Sequence, residues 1–226
     1  MRYPHVLPAT FLARPNRFVA HVLLDGQEVL CHVKNTGRCR ELLRPGATVW
    51  LCPSENPHRK TAYDLIAVQK GDLLINMDSQ APNQVFGEWA QAGFFRPDLT
   101  LLRPETCHGS SRFDFYWEAG PRRGFVEVKG VTLEREGAVY FPDAPTQRGV
   151  KHLEELAACL QDGFEAAVCF VIQLDRAAFF SPNDETHPQF GHTLRAVQQA
   201  GVEVLALSCA VTPGSLQIAA PVPIVL

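Results

Sequence analysis

The sequence predicts a small β-barrel followed by a mixed α/β sheet domain. Three observations carry that expectation. Residues 10–75 break into short apolar runs separated by turn signals. Residues 145–162 show the one long stretch of helical periodicity, with Val150, Leu153, Leu156, Ala157 and Leu160 recurring at its spacing. Ala166 to Ile172 is a continuous apolar run of the kind found in strands covered on both faces.

In the first part the strand candidates are residues 17–23, 28–33, 48–52, 63–68 and 73–75, punctuated by Asp25-Gly26, Asn35-Thr36-Gly37, Pro45-Gly46 and Gly71-Asp72. About five short strands suit an OB-like barrel, a class that often binds single strands or nucleic-acid backbones. An SH3-like barrel fits nearly as well. A connector follows, with a helix expected over residues 84–93 that carries Glu88. Two strands come next, around Asp114 and around Glu127, joined by the turn-rich segment 118–124. The long helix has Pro145-Thr146 as its start and Gly163 as its stop. The apolar strand, a shorter helix over 193–200 and a last strand over 202–207 complete an order of strand, strand, helix, strand, helix, strand. We place the barrel in residues 1–80 and the sheet domain in 81–226.

Bulk properties narrow the function. The chain of 226 residues has ordinary apolar content and a formal charge of −3, which argues against an indiscriminate polycation. The charge is uneven: residues 1–62 hold nine Lys or Arg against four Asp or Glu, and the remainder holds twelve against twenty. Most of these early basic residues are arginines, whose planar fork suits phosphate. No apolar run reaches the length of a membrane span, and Met1 to Pro8 lacks the apolar core of a signal peptide, so a cytoplasmic protein without a membrane partner is expected. The seven cysteines form no C-x-x-C pair and read as buried reduced thiols. His187 and His192 lie among loop-type residues and read as surface histidines rather than zinc ligands.

The chemistry is concentrated in Phe125-Val126-Glu127-Val128-Lys129-Gly130. On a strand, residues i and i+2 share a face, roughly 6–7 Å apart. Val126 and Val128 therefore face the core, and Glu127 and Lys129 face the other way. A hairpin between this strand and Ser111 to Trp117 brings Asp114 toward Glu127. Two carboxylates, a backbone carbonyl and several waters suffice for Mg2+, and a neighbouring lysine can orient or activate water or stabilise negative charge on phosphate. The alternative is a structural ion pair between Glu127 and Lys129. The bare spacing does not decide between them, because the chain has five lysines and one acid at that offset is near what chance supplies. The predicted strand, hairpin and following amphipathic helix are what favour the site.

Asp114, a gap, and then Glu127-Val128-Lys129 resemble the PD-(D/E)xK nuclease core. Phe141-Pro142-Asp143-Ala144-Pro145-Thr146-Gln147-Arg148-Gly149-Val150-Lys151-His152-Leu153 resembles the signature of the sugar fermentation stimulation protein A family, as do Asn35-Thr36-Gly37 and Arg112-Phe113-Asp114. The resemblance spans essentially the whole chain and departs from it at the linker, Asp78 to Pro82. It implies an N-terminal OB-like domain, a restriction-endonuclease-like second domain, and DNA binding linked to sugar-utilisation genes.

Carried over to this sequence, the resemblance makes Asp114, Glu127 and Lys129 the catalytic residues. Asp114, Glu127, the Val128 carbonyl and Glu88 become ligands for Mg2+ or Mn2+. Arg148, Lys151 and His152, at i, i+3 and i+4 of the long helix, are expected to face a phosphate together. Arg14, Arg17, Lys34, Arg38 and Arg40 are expected on the nucleic-acid backbone, with Phe18 and Trp50 as stacking candidates unless they fill the barrel core. Asp143 is expected as a turn or cap residue rather than a ligand.

Three functions follow as expectations. The first is a metal-dependent nuclease, a hydrolase acting on DNA or RNA, in a fold that often forms homodimers. The second is a non-catalytic DNA-binding regulator that keeps the nuclease fold. The third, which the basic first half makes less attractive, is a metal enzyme on another phosphoester.

Overall fold

The structure is a computed structural model that describes residues 1–226 apart from 36, 55, 57 and 110. Its first part is a closed five-stranded barrel. Strands β1 (Leu7–Ala13), β2 (Val19–Leu24), β3 (Gln27–Val33), β4 (Thr48–Pro53) and β5 (Tyr63–Lys70) pair in the order β3-β2-β1-β4-β5, and a parallel β3–β5 pairing closes the ring. Alternation fills the interior with Phe11, Ala20, Val22, Cys31, Val33, Val49, Leu51 and Leu65, all buried. This is the expected OB-type barrel, with one strand reassigned. Its first strand is Leu7–Ala13, which Pro8 had obscured, and the expected fifth strand is β6 (Leu73–Asn76), which pairs with β5 outside the ring.

The second part is built on a six-stranded sheet in the order β15-β14-β12-β9-β8-β7. Strands β7 (Leu99–His108), β8 (Ser111–Ala119) and β9 (Arg122–Val131) form an antiparallel meander. Parallel pairings then join β9 to β12 (Glu165–Ile172) and β12 to β14 (Glu203–Thr212), and β15 (Ser215–Pro221) pairs antiparallel at the edge. A small sheet of β10 (Leu133–Arg135), β11 (Ala138–Phe141) and β13 (Phe180–Pro182) flanks it.

Helix α1 (Ala81–Gln91) covers one face of the large sheet, burying Val85, Phe86 and Ala90 against Phe115, Val126 and Val128. Helices α2 (Gln147–Gln161) and α3 (Pro188–Gln199) cover the other. Helix α2 starts where expected: the Thr146 hydroxyl caps it by accepting from the Gly149 N–H at 3.0 Å. Helix α3 starts five residues earlier than the expected Thr193, because Pro188 opens its first turn. His187, expected at the surface, is 7 % exposed at the cap of α3, where its Nδ1 accepts from the Thr146 N–H. Six of the seven cysteines are buried, and Cys107 is exposed. Among the described residues no helix is long and apolar enough to cross a membrane.

Candidate metal centre and nucleic-acid cleft

The expected hairpin is present, and it opens at the acid that matters. Strands β8 and β9 pair from Ala119–Arg122 to Phe115–Val126, while β8 continues beside β7 through Thr106–Phe113. Beyond Phe115 the Asp114 carboxylate occupies the place a ladder partner would take. Its Oδ2 accepts from the Val128 N–H at 2.7 Å, and its Oδ1 accepts from the Asn83 side-chain amide on α1 at 2.7 Å. Asn83 was not foreseen. It sits in the Ala-Pro-Asn opening of α1, which reads as a turn.

Both faces of β9 are covered, so the side opposite Val126 and Val128 is the α2 face rather than solvent. Glu127 lies there, 3 % exposed. Its Oε1 accepts from Lys129 Nζ at 2.5 Å and from His152 Nδ1. Its Oε2 is buried with no hydrogen-bond partner among the described residues. Burial pushes the Glu127 carboxyl up, but hydrogen bonds from His152 and the Lys129 charge outweigh that and hold it below the ordinary value. Asp114 goes the other way: burial, then the nearby Glu127 charge, raise it above the ordinary value despite the Val128 and Asn83 hydrogen bonds. The Glu127 charge is thus felt at Asp114.

The other expected residues separate. Glu88 lines a cleft of about 390 Å³ with Asp114, but its carboxylate is held by the terminal ammonium of Met1 at 2.6 Å and by Gln84 at 3.0 Å. Among the described residues no group of three or more His, Cys, Asp or Glu is placed to hold a metal ion, so Glu88 does not complete a ligand set with Asp114 and Glu127. On α2, Arg148 and His152 do converge: Arg148 Nε donates to His152 Nε2 at 3.2 Å. Lys151 does not join them and pairs with Glu155 at 3.4 Å. His152 turns inward to Glu127 instead of presenting itself to a phosphate.

In the barrel, Arg17, Arg38 and Arg40 are exposed around one cleft of about 680 Å³, whose rim includes Ala144 of the second part. Phe18 is 51 % exposed rather than part of the core, with the Arg17 guanidinium 5.7 Å from its ring. Two expected phosphate ligands have other work. Arg14 donates to the backbone carbonyls of Arg17, Asn35, Gly37 and Arg38, which folds the loop around itself. Lys34 pairs with the buried Asp78 at 2.8 Å. Trp50 is half-buried on β4.

The two signature segments meet. Asp143 Oδ2 accepts from the Arg38 N–H at 3.2 Å. A Cβ on Gly37 would stand 2.3 Å from that oxygen, so any larger residue here would push the Asp143 carboxylate off the loop. Thr36, between Asn35 and Gly37, lies outside the described residues. Asp143 therefore ties the barrel loop to the segment leading into α2, and the cap itself is Thr146.

Comparison with known proteins agrees with this architecture. Residues 12–77 match the model of the SfsA N-terminal OB domain, and residues 80–215 match that of the sugar fermentation stimulation protein RE domain. The chain belongs to the sugar fermentation stimulation protein family. A homolog from Desulfitobacterium hafniense is 55 % identical over 217 residues, covering 96 % of this chain and 95 % of its own. One from Clostridium beijerinckii is 51 % identical over 226 residues and covers both chains fully. Among solved structures, SfsA of Pyrococcus furiosus in complex with Ca2+ has a TM-score of 0.90 at 26 % identity, covering 100 % of this chain and 98 % of that one.

Proposed function

We propose that this member of the family is a nucleic-acid-binding phosphodiesterase of PD-(D/E)xK type that uses Mg2+ or Mn2+ held by Asp114, Glu127 and the Val128 carbonyl. One observation carries the reading: among the described residues Glu127 Oε2 is buried without a hydrogen-bond partner, and the Glu127 charge raises the nearby Asp114 carboxyl. An unpaired buried carboxylate oxygen is costly, and a hard cation is the partner that satisfies it and relieves the like-charge repulsion at once. The donor set fits: two carboxylates and a carbonyl leave room for the waters that Mg2+ retains. The relative from Pyrococcus furiosus, seen with Ca2+, is consistent with a site for hard, oxygen-seeking ions in this family.

The chain's own groups have separable tasks. Bound at this site, the ion would supply Lewis-acid stabilisation of charge on a phosphate oxygen. Lys129 gives one N–H to Glu127 and has two more for that developing charge, so it acts as an electrostatic stabiliser. Arg17, Arg38 and Arg40 grip the polyanion at the barrel, and Asp143 fixes the loop of Arg38 and Arg40 against the approach to α2.

The test is incubation with labelled single-stranded DNA, duplex DNA and RNA, with and without Mn2+. Cleavage that disappears in Lys129→Ala while binding persists is the expected result. Arg38→Ala with Arg40→Ala should weaken binding to all sequences and lower the salt slope by about one for each arginine. A second reading is a DNA-binding regulator without turnover. The absence of a third acid among the described residues favours it, and strong binding with no cleavage under any metal would establish it.

A further inference from the structure

We propose that Arg148 and His152 are a positioning pair that pins Glu127 with Oε1 turned to the helix and Oε2 turned to the metal. The proposal rests on the metal site inferred above. A buried carboxylate flanked by two donors would ordinarily divide them, one to each oxygen. Here Lys129 and His152 both meet Oε1, and Oε2 is left without a partner.

The imidazole makes this arrangement directional. Arg148 is a donor through every guanidinium nitrogen, so His152 Nε2, 3.2 Å from Arg148 Nε, must accept. Nδ1 then carries the proton and donates it to Glu127 Oε1. The i, i+4 spacing on α2 holds the two side chains on one face. The first turn of α2 is anchored by Thr146, and its far side is packed through Val150 and Leu153, so the ring has little freedom to withdraw. Neither residue needs to touch substrate or metal. Their effect is to keep Glu127 from rotating its free oxygen onto Lys129 or His152, as outer partners do for metal ligands elsewhere.

The experiment uses the full chain and Mn2+ alone, with binding followed by electron paramagnetic resonance of the free ion. His152→Ala should weaken Mn2+ about 10–100-fold. His152→Asn, whose amide can stand where Nδ1–H stood, should recover most of that loss, whereas His152→Gln should not. Arg148→Lys, still a donor, should bind better than Arg148→Ala. In parallel, nitrogen NMR of metal-free protein should show His152 protonated at Nδ1. Mn2+ binding by wild type that is unchanged in His152→Ala, or an Nε2-protonated ring, would overturn the pair while leaving the metal site standing. Failure of wild type itself to take up Mn2+ would remove the site, and the pair with it.

Discussion

Asp78 and Glu127 are the two most deeply buried acids among the described residues, and their surroundings differ in one respect. Asp78, in the linker and 1 % exposed, has both oxygens satisfied: Oδ1 by the Gln80 N–H at 3.0 Å, and Oδ2 by Lys34 at 2.8 Å and the Tyr3 hydroxyl at 3.3 Å. Gln173 at the end of β12 donates to the Asp78 carbonyl and to Asn76, which in turn donates to Tyr3. Burial and then the Asp78 charge push the Tyr3 phenol well above its ordinary value, so it remains a donor. Glu127, 3 % exposed, crowds two donors onto one oxygen and leaves the other bare. Burial alone therefore does not distinguish the two. A buried acid with both oxygens answered is part of the fold, and the one with an oxygen left bare is where the proposed metal would bind.

The difference can be broken most forcefully at the linker. Asp78→Ala strands Lys34 and Tyr3 between the two halves and should cost about 3 kcal/mol in denaturant unfolding. Glu127→Gln in metal-free protein should stay within about 1 kcal/mol of wild type, because it also removes a buried charge. Equal losses would erase the distinction. Saturation with Mn2+ at a hundred times its Kd should stabilise wild type by about 2.7 kcal/mol in thermal unfolding and leave Glu127→Gln unmoved. Asp78→Ala should keep that metal-dependent gain.

A third buried acid gives the smallest effect and sharpens the rule. Glu134 on β10 is 6 % exposed. It accepts from Lys70 at 2.5 Å and from the Gly137 N–H at 2.6 Å. Burial raises its carboxyl, but Lys70 and Gly137 outweigh that and hold it below the ordinary value of 4.5. An acid depressed in the folded state stabilises above its unfolded value and loses that contribution as pH falls through the folded one. Glu134→Gln should flatten the acid limb of a stability profile below about pH 4.5 and leave Mn2+ binding unchanged.

Much of this was visible in the residues because it depends on local periodicity. The i, i+2 placement of Glu127 and Lys129, the hairpin to Asp114 and the apolar stripe of α2 follow from the geometry of strand and helix. What stayed hidden is set by partners distant in sequence. Strand β7 carries Pro104 between the exposed Arg103 and Glu105, tolerable because it is an edge strand paired with β8. Strand β15, at the opposite edge, alternates too weakly to announce itself. The commitment of Arg14 to four carbonyls, of Lys34 to Asp78 and of Glu88 to Met1 cannot be read from composition, which treats every charge as free. Likewise, spacing placed His152 on the face of Arg148 but could not say that this face looks inward at Glu127.

The most direct measurement is a crystal soaked in Mn2+ and examined by anomalous diffraction. One strong peak is expected between Glu127 Oε2 and Asp114, within bonding distance of the Val128 carbonyl, with Glu127 Oε1 still on Lys129 and His152. No peak there at saturating Mn2+, or a peak held by other residues, would contradict the proposed site.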